Sequence, residues 1–166
     1  GDSAFAVTFP PAISSANDVN CYFDDSHGNT WLTSEHHGLY RIRGDEVRHF
    51  TVGDGLPSDQ ILNIIEDKNG AIWVGTFAGL GRIIGNAVRK YTPQAGLRGN
   101  LVYTLLLDAA GNIWAGTENG INRIQIDAKS NPVAVKHYSK EEGFTGVECN
   151  QNAGCVDSKG RLWFGN

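Results

Sequence analysis

The side chains best suited to chemistry in this 166-residue chain form the run Glu35-His36-His37, which contains the only pair of adjacent histidines. Histidine binds metal ions and exchanges protons near neutral pH. Adjacent histidines at a strand end would point to opposite sides, and no cysteine or carboxylate cluster at ligand spacing accompanies them. We therefore predict no metal ion and no other cofactor, and interpret the run as an exposed loop that can contact a ligand.

A repeated unit accounts for most of the other polar and aromatic residues. In its clearest copy, Asp67 is followed by Gly70, Trp73, a Gly-Leu pair and Arg82. The same order recurs along the chain, and the four tryptophans are separated by 42, 41 and 49 residues. A period of this size is typical of repeat architectures, in which each unit buries its faces against its neighbours.

Each unit is predicted to contain four short strands. In the clearest copy, Asp67–Gly70 and Gly85-Asn86 are typical hairpin turns. The segments around these turns are short and rich in β-branched and aromatic residues. Because they are apolar on both faces, the sheet should lie between similar sheets. We therefore predict an all-β fold, a β-propeller of four-stranded antiparallel blades with about four repeats.

The repeats divide the chain, interpreted as a single propeller segment, into ranges of about 4–50, 51–91, 92–138 and 139–166. Residues 4–9 are predicted as the outermost strand of a blade, and the last copy has only two strands. The third copy carries an insertion, 127–132, in its last hairpin. The strand count predicts an excerpt of a longer propeller, with completion by a second copy of the chain as the alternative.

Composition excludes two classes of partner. The net charge is −4, and the arginines of the repeat are spread one per copy, so no basic stripe is present for a nucleic-acid backbone. No apolar run approaches the roughly 18–20 residues of a membrane helix. We expect neither a nucleic-acid partner nor a membrane segment in this chain.

Residues that recur in every copy are interpreted as scaffold, because a repeat retains what stacking needs. The recurring aspartates should cap their own turns. Buried packing between blades is predicted for the tryptophans: Trp31, Trp73, Trp114 and Trp163. Pairing with a turn carboxylate or with carbonyls is predicted for the arginines: Arg41, Arg82 and Arg123. No catalytic residue is predicted.

Polar residues that do not recur are better candidates for function. Phe77 and the pair Glu118-Asn119 occupy the loop that corresponds to Glu35-His36-His37 in their own copies. The loops that lead into the inner strands at the same rim carry three more candidates: Asp59, Asn100 and Asn150. A rim rich in amides and carboxylates suits a neutral or hydroxylated ligand such as a carbohydrate, and a solvated rim without a ligand is the alternative.

The three cysteines, Cys21, Cys149 and Cys155, show no Cys-x-x-Cys spacing, and their odd number leaves at least one unpaired. Cys155 occupies the inner-strand position that Phe23 and Ile65 hold in other copies. It is therefore predicted to be a buried free thiol.

The chain resembles the two-component regulator propeller repeat, most strongly at Gly55–Arg82 and Gly96–Arg123 and more weakly before Gly28 and after Tyr138. The resemblance implies the extracytoplasmic sensor region of bacterial hybrid histidine kinases and some diguanylate cyclases. That region commonly holds two seven-bladed propellers followed by a β-sandwich. A periplasmic or extracellular location follows from the resemblance, and no kinase, receiver or cyclase segment lies in this sequence.

The expected function is therefore a ligand-sensing or interaction module. Its expected partners are a carbohydrate or other small polar ligand, other propeller blades, or a second copy of the chain. The alternatives are a propeller enzyme of lyase or glycosidase type acting on carbohydrate, and a purely structural interaction platform. No pair of carboxylates and no histidine-centred constellation stands apart from the repeat, which argues against the enzyme.

Overall fold

The computed structural model describes residues 19–34, 36–144 and 149–165. These residues form three four-stranded antiparallel sheets and one two-stranded sheet, each with its strands in sequence order. The first sheet contains β1 (Val19–Asp24), β2 (Thr30–Ser34), β3 (Gly38–Arg43) and β4 (Glu46–Phe50). The second contains β5 (Ile61–Glu66), β6 (Ile72–Thr76), β7 (Gly79–Ile84) and β8 (Ala87–Tyr91).

The third sheet contains β9 (Val102–Leu107), β10 (Ile113–Thr117), β11 (Gly120–Ile126) and β12 (Pro132–Tyr138). The last contains β13 (Gly154–Val156) and β14 (Leu162–Phe164), which are shorter than the two strands predicted for this copy. Short 3₁₀ helices lie between successive sheets: Val52–Asp54, Pro93–Ala95 and Lys140–Glu142. The strand predicted at residues 4–9 lies outside the described residues.

The first hairpin of each sheet forms as the sequence predicts. In the second sheet, Gly70 adopts a left-handed conformation with φ of +83°, which glycine tolerates without steric cost. Its amide donates to the carbonyl of Asp67 at 3.0 Å, and the Asp67 amide donates to the carbonyl of Ala71 at 2.9 Å. The carboxylate of Asp67 also accepts the amides of Asn69 and Ala71. The prediction that the aspartate caps its own turn is confirmed.

The sheets stack face to face with their first strands together. Strand β5 lies between β1 and β9, and β13 follows β9. All five residues of β6 are buried, as expected for a strand covered on both faces. Gly75 of β6 lies so close to the third sheet that an added Cβ would be 2.6 Å from the carbonyl oxygen of Val102. The first strand of each sheet is therefore the inner strand, and the sheets are propeller blades.

The antiparallel strands place the connections at two rims. We call the rim that carries the turns after the first and third strands the hairpin rim. The other rim, here the loop rim, carries the turns after the second strands and the connections between blades. The predicted ligand contacts belong to the loop rim. The insertion of the third blade belongs to the hairpin rim, where five residues, 127–131, connect β11 to β12, against two between β7 and β8.

Candidate functional site

The repeated tryptophans and aspartates form one bond in all four blades. Trp73 donates its indole N–H to Asp67 at 2.7 Å, and the corresponding distances are 2.8 Å for Trp31 and Trp114 and 3.0 Å for Trp163. Trp73 and Trp31 are buried, as predicted. Trp163, however, is 52% exposed, so the prediction of burial is wrong for the last copy. The tryptophans thus join strand to turn within a blade as well as filling space between blades.

Two of the three repeated arginines connect their own blade to the next. Arg41 donates to the carbonyl of Gly85 at 2.8 Å and to Oδ1 of Asn86 at 2.9 Å, both in the last hairpin of the second blade. Arg82 donates in the same way to Asn131 Oδ1 at 3.0 Å and to the carbonyl of Ser130 in the third blade. Each guanidinium also stacks over the tryptophan of its own blade. Of the two pairings predicted, the carbonyl pairing is confirmed for these arginines.

At the loop rim, the first blade contacts the connection that leads into the second. His36 Nδ1 lies 3.1 Å from Nε2 of Gln60, and the amide of Gly38 donates to the carbonyl of Asp59 at 2.9 Å. The carboxylate of Asp59 accepts the amide of Val52 at 2.8 Å. The carbonyl of His37 contacts the ring of His49. The predicted histidine pair and Asp59 are therefore neighbours, while Glu35 lies outside the described residues.

In the third blade, Glu118 binds the backbone of the loop that leads into β9. Its two carboxylate oxygens accept the amides of Asn100 at 2.7 Å and of Leu101 at 2.9 Å, and Asn119 donates to it at 3.4 Å. The structure thus brings together Glu118, Asn119 and Asn100, as the predicted rim requires. Because the carboxylate already holds the incoming loop, its role in this geometry is positional.

Phe77 opens onto a cavity of about 150 Å³ at the inner end of the loop rim. The phenyl ring is 43% exposed. The cavity is also lined by Ile61 and Leu62 at the start of β5 and by three side-chain amides from three blades: Asn20, Gln60 and Gln151. These amides were not predicted, although Gln60 and Gln151 directly follow the predicted Asp59 and Asn150.

The wall below this cavity is held by a further amide pair. Asn63, on the inner strand β5, donates to Oδ1 of Asn152 and accepts the amide of Leu105 at 3.2 Å. Asn152 has a left-handed backbone with φ of 54°, and its amide donates to the carbonyl of Tyr103 at 3.2 Å. The second, third and fourth blades therefore meet through Asn63 and Asn152. A single asparagine in an apolar strand gave no sequence signal for this contact.

The prediction that Cys155 is buried is wrong. Cys155 pairs with Trp163 across the sheet, as Phe23 pairs with Trp31, so its register is as predicted, but its side chain is exposed. Cys149 is fully buried instead. It packs on the third blade, where a Cβ at Gly116 would meet Cys149 Sγ at 2.8 Å. The sequence signal for this contact was Gly116, two residues after Trp114. Gly116 corresponds to Gly75 of the second blade.

Neither a metal-binding cluster nor a membrane-spanning helix is present among the described residues. Within the ranges 19–34, 36–144 and 149–165, no group of three or more histidine, cysteine, aspartate or glutamate side chains is placed to hold a metal ion. The helices in those ranges are also too short and too polar to cross a membrane.

Stacked four-stranded antiparallel sheets with their first strands innermost define the chain as part of a β-propeller. Residues 55–78 and 96–119 match the family described as two component regulator propeller. These two segments therefore carry two-component regulator propeller repeats, as the resemblance in the sequence predicted.

Known structures share this fold. The chain is similar to the extracellular domain assigned to a hybrid two-component system of B. thetaiotaomicron, with a TM-score of 0.81 and 22% identity over 96% of this chain and 22% of that one. It is also similar to virginiamycin B lyase of Staphylococcus aureus, with a TM-score of 0.67 and 22% identity over 91% of this chain and 49% of that one. The chain thus spans about a fifth of the first protein and about half of the second. No curated protein matches the sequence.

Proposed function

We propose that this chain is a ligand-binding part of the extracellular or periplasmic sensor region of a two-component signalling system. The observation that carries the proposal is the cavity beside Phe77, which the half-exposed Phe77 lines together with amide-bearing residues from three blades. The two-component regulator propeller repeats and the similarity to an extracellular domain of a hybrid two-component system support the location and the signalling role.

The chemistry of the cavity favours a neutral hydroxylated ligand. Asn20, Gln60 and Gln151 each supply both a donor and an acceptor, which matches the hydroxyl groups of a sugar. Phe77 offers an apolar face for the C–H surface of a ring. Among the described residues, none of the side chains that line the cavity is charged. At about 150 Å³, it is smaller than the roughly 300–1,000 Å³ of most ligand pockets, so it should accept one ring of the ligand.

Calorimetric titration with neutral mono- and disaccharides tests this proposal. Binding of at least one sugar is expected, together with its loss in Phe77→Ala. Val52→Ala is the matched control, because Val52 is 51% exposed near the same rim but does not line the cavity. Equal binding by the two variants would place the ligand elsewhere, and the absence of binding by every sugar would refute the carbohydrate assignment.

A further inference from the structure

The junction between the first and second blades is open at the hairpin rim, whereas the next junction is filled. Between the second and third blades, the five-residue turn 127–131 lies over the gap, with Ser130 only 1% exposed and bonded to Asn69. Between the first and second blades, the corresponding turn is the two-residue Gly85-Asn86. The shorter turn leaves a groove of about 560 Å³, within the usual size range of small-molecule sites.

The floor of this groove is apolar. Ile72 and Ile83 of the second blade lie against Trp31 of the first, and all three side chains belong to the buried core. Ile84, the next residue of β7, also lines the groove and is 47% exposed. A ligand with an apolar body could therefore cover Ile84, the apolar side chain at the groove that is now partly in water.

The polar edge of the groove favours an anion. The cations Arg41, Arg43 and Lys129 lie along it, against the carboxylates Asp25 and Glu46. Both oxygens of Asp25 are occupied by the donors of His27, Asn29 and Trp31, and Glu46 lies directly across the sheet from Arg43.

Two of these cations retain N–H groups for a ligand. Arg41 uses only two of its five N–H donors within the described chain. Lys129 stands on the insertion of the third blade, at the end of the groove, and makes no ion pair with the described residues. Arg41 and Lys129 therefore provide two cationic donor groups for a ligand in the groove.

We propose that this groove binds a small organic anion with an apolar body, of the medium-chain carboxylate class. The alkyl chain lies over the exposed Ile84, and the carboxylate is held between Arg41 and Lys129. The insertion 127–131 then has two roles, because it fills the second junction and supplies a cation to the first. The site lies at the rim opposite the Phe77 cavity and does not depend on the function proposed for that cavity.

The test uses octanoate as the probe and octylammonium as its cationic counterpart, each titrated into the full chain by calorimetry. Octanoate should bind at least tenfold more tightly than octylammonium. Lys129→Gln should weaken octanoate binding by up to about fivefold, the effect of losing one partly exposed ion pair. Lys159→Gln is the matched control on the same rim, since Lys159 does not line the groove, and it should bind octanoate normally.

A turn graft separates this groove from other apolar surfaces. Replacing Gly85-Asn86 with a copy of residues 127–131 should fill the groove. The grafted turn should offer Arg41 carbonyls equivalent to those that Arg82 binds in the third blade. The graft should keep the cooperative thermal transition and lose octanoate binding. Ile84→Glu serves as a second variant if the graft does not fold. It adds a negative charge at an exposed position and should abolish octanoate binding. Unchanged octanoate affinity in a folded graft or in Ile84→Glu, or equal affinity for octylammonium, would overturn the proposal.

Discussion

Trp73 and Asp67 are joined by a 2.7 Å hydrogen bond between the indole N–H and a carboxylate oxygen, and both side chains are buried. The same aspartate accepts the amides of its own turn. One carboxylate therefore connects the hairpin turn to the tryptophan that fills the space between blades. Because this bond recurs in four copies, its energetic role can be compared at a buried site and at an exposed site.

Trp73→Phe should lower the free energy of unfolding by about 1–3 kcal/mol, because a buried carboxylate oxygen loses its partner. Trp163→Phe removes the corresponding bond at a half-exposed position, where water replaces the donor. Its cost should be within about 0.5 kcal/mol. Urea unfolding of the two variants provides the comparison, and equal losses would show that burial does not determine the strength of the bond.

The pH dependence of folding should contain a contribution from Asp157. The indole of Trp163 and the amide of Arg161 hold the pKa of this carboxyl at about 2, below the ordinary 3.8. Since the folded-state pKa is lowered, the stabilisation is complete above about pH 4 and is lost as the pH falls toward 2.

Carboxyl NMR titration of Trp163→Phe checks the cause of this shift. The variant should raise the pKa of Asp157 toward its ordinary value. The pKa of Asp24, which is held low by Tyr22 and Thr30, should stay the same. A pKa of Asp157 that does not change would mean that the backbone amides alone lower it.

Arg82→Lys should cost at least about 1.5–3 kcal/mol, the scale of a hydrogen bond to a charged group. A lysine keeps the charge but cannot reach several acceptors of the hairpin 129–131 with a planar fork. Arg123→Lys is the control, because among the described residues its Nε has no partner and its guanidinium stacks on Trp114. Its loss should be within about 1 kcal/mol. If chemical denaturation showed a larger loss of unfolding free energy for Arg123→Lys than for Arg82→Lys, the stronger stabilising role assigned to Arg82 would be wrong.

Gly75→Ala should destabilise the chain by about 3 kcal/mol or more, since the new methyl group would collide with the backbone carbonyl of Val102 in the next blade. The backbone at Gly75 does not require glycine, so the effect is steric. Gly53→Ala is the matched control, with its nearest neighbour, Thr51 Oγ1, at 3.4 Å. Thermal unfolding should separate the two variants clearly, and similar transitions would mean that the blades can move apart at low cost.

The sequence predicted the strands and the blade stacking well, because the signals are local and recur. The turn Asp67–Gly70 and the strand 71–76 each carry their own chemistry, and four copies reinforce one another. The bond from Trp73 to Asp67 was not foreseen, although both residues were recognised as recurring. A fixed separation of two residues shows that both are needed but does not show that they touch.

The candidate site was less accessible to prediction, because its residues meet through space. Asp59 and Glu118 were selected as ligand contacts from their loop positions, yet their carboxylates hold backbone amides. The cavity instead uses Gln60 and Gln151, the residues that follow the predicted Asp59 and Asn150. Side-chain direction at the start of a strand depends on bulges such as the irregularity between Ile61 and Asn63, which no local pattern revealed.

The arginine contacts between blades have a direction. Arg41 and Arg82 donate to hairpins that lie 44 to 49 residues later in the chain. A chain that is made or exported from its amino end presents these blades in the same order, so a blade can form before the hairpin that its arginine binds becomes available. Assembly can therefore proceed from the amino end one blade at a time, with each finished blade serving as the template for its successor.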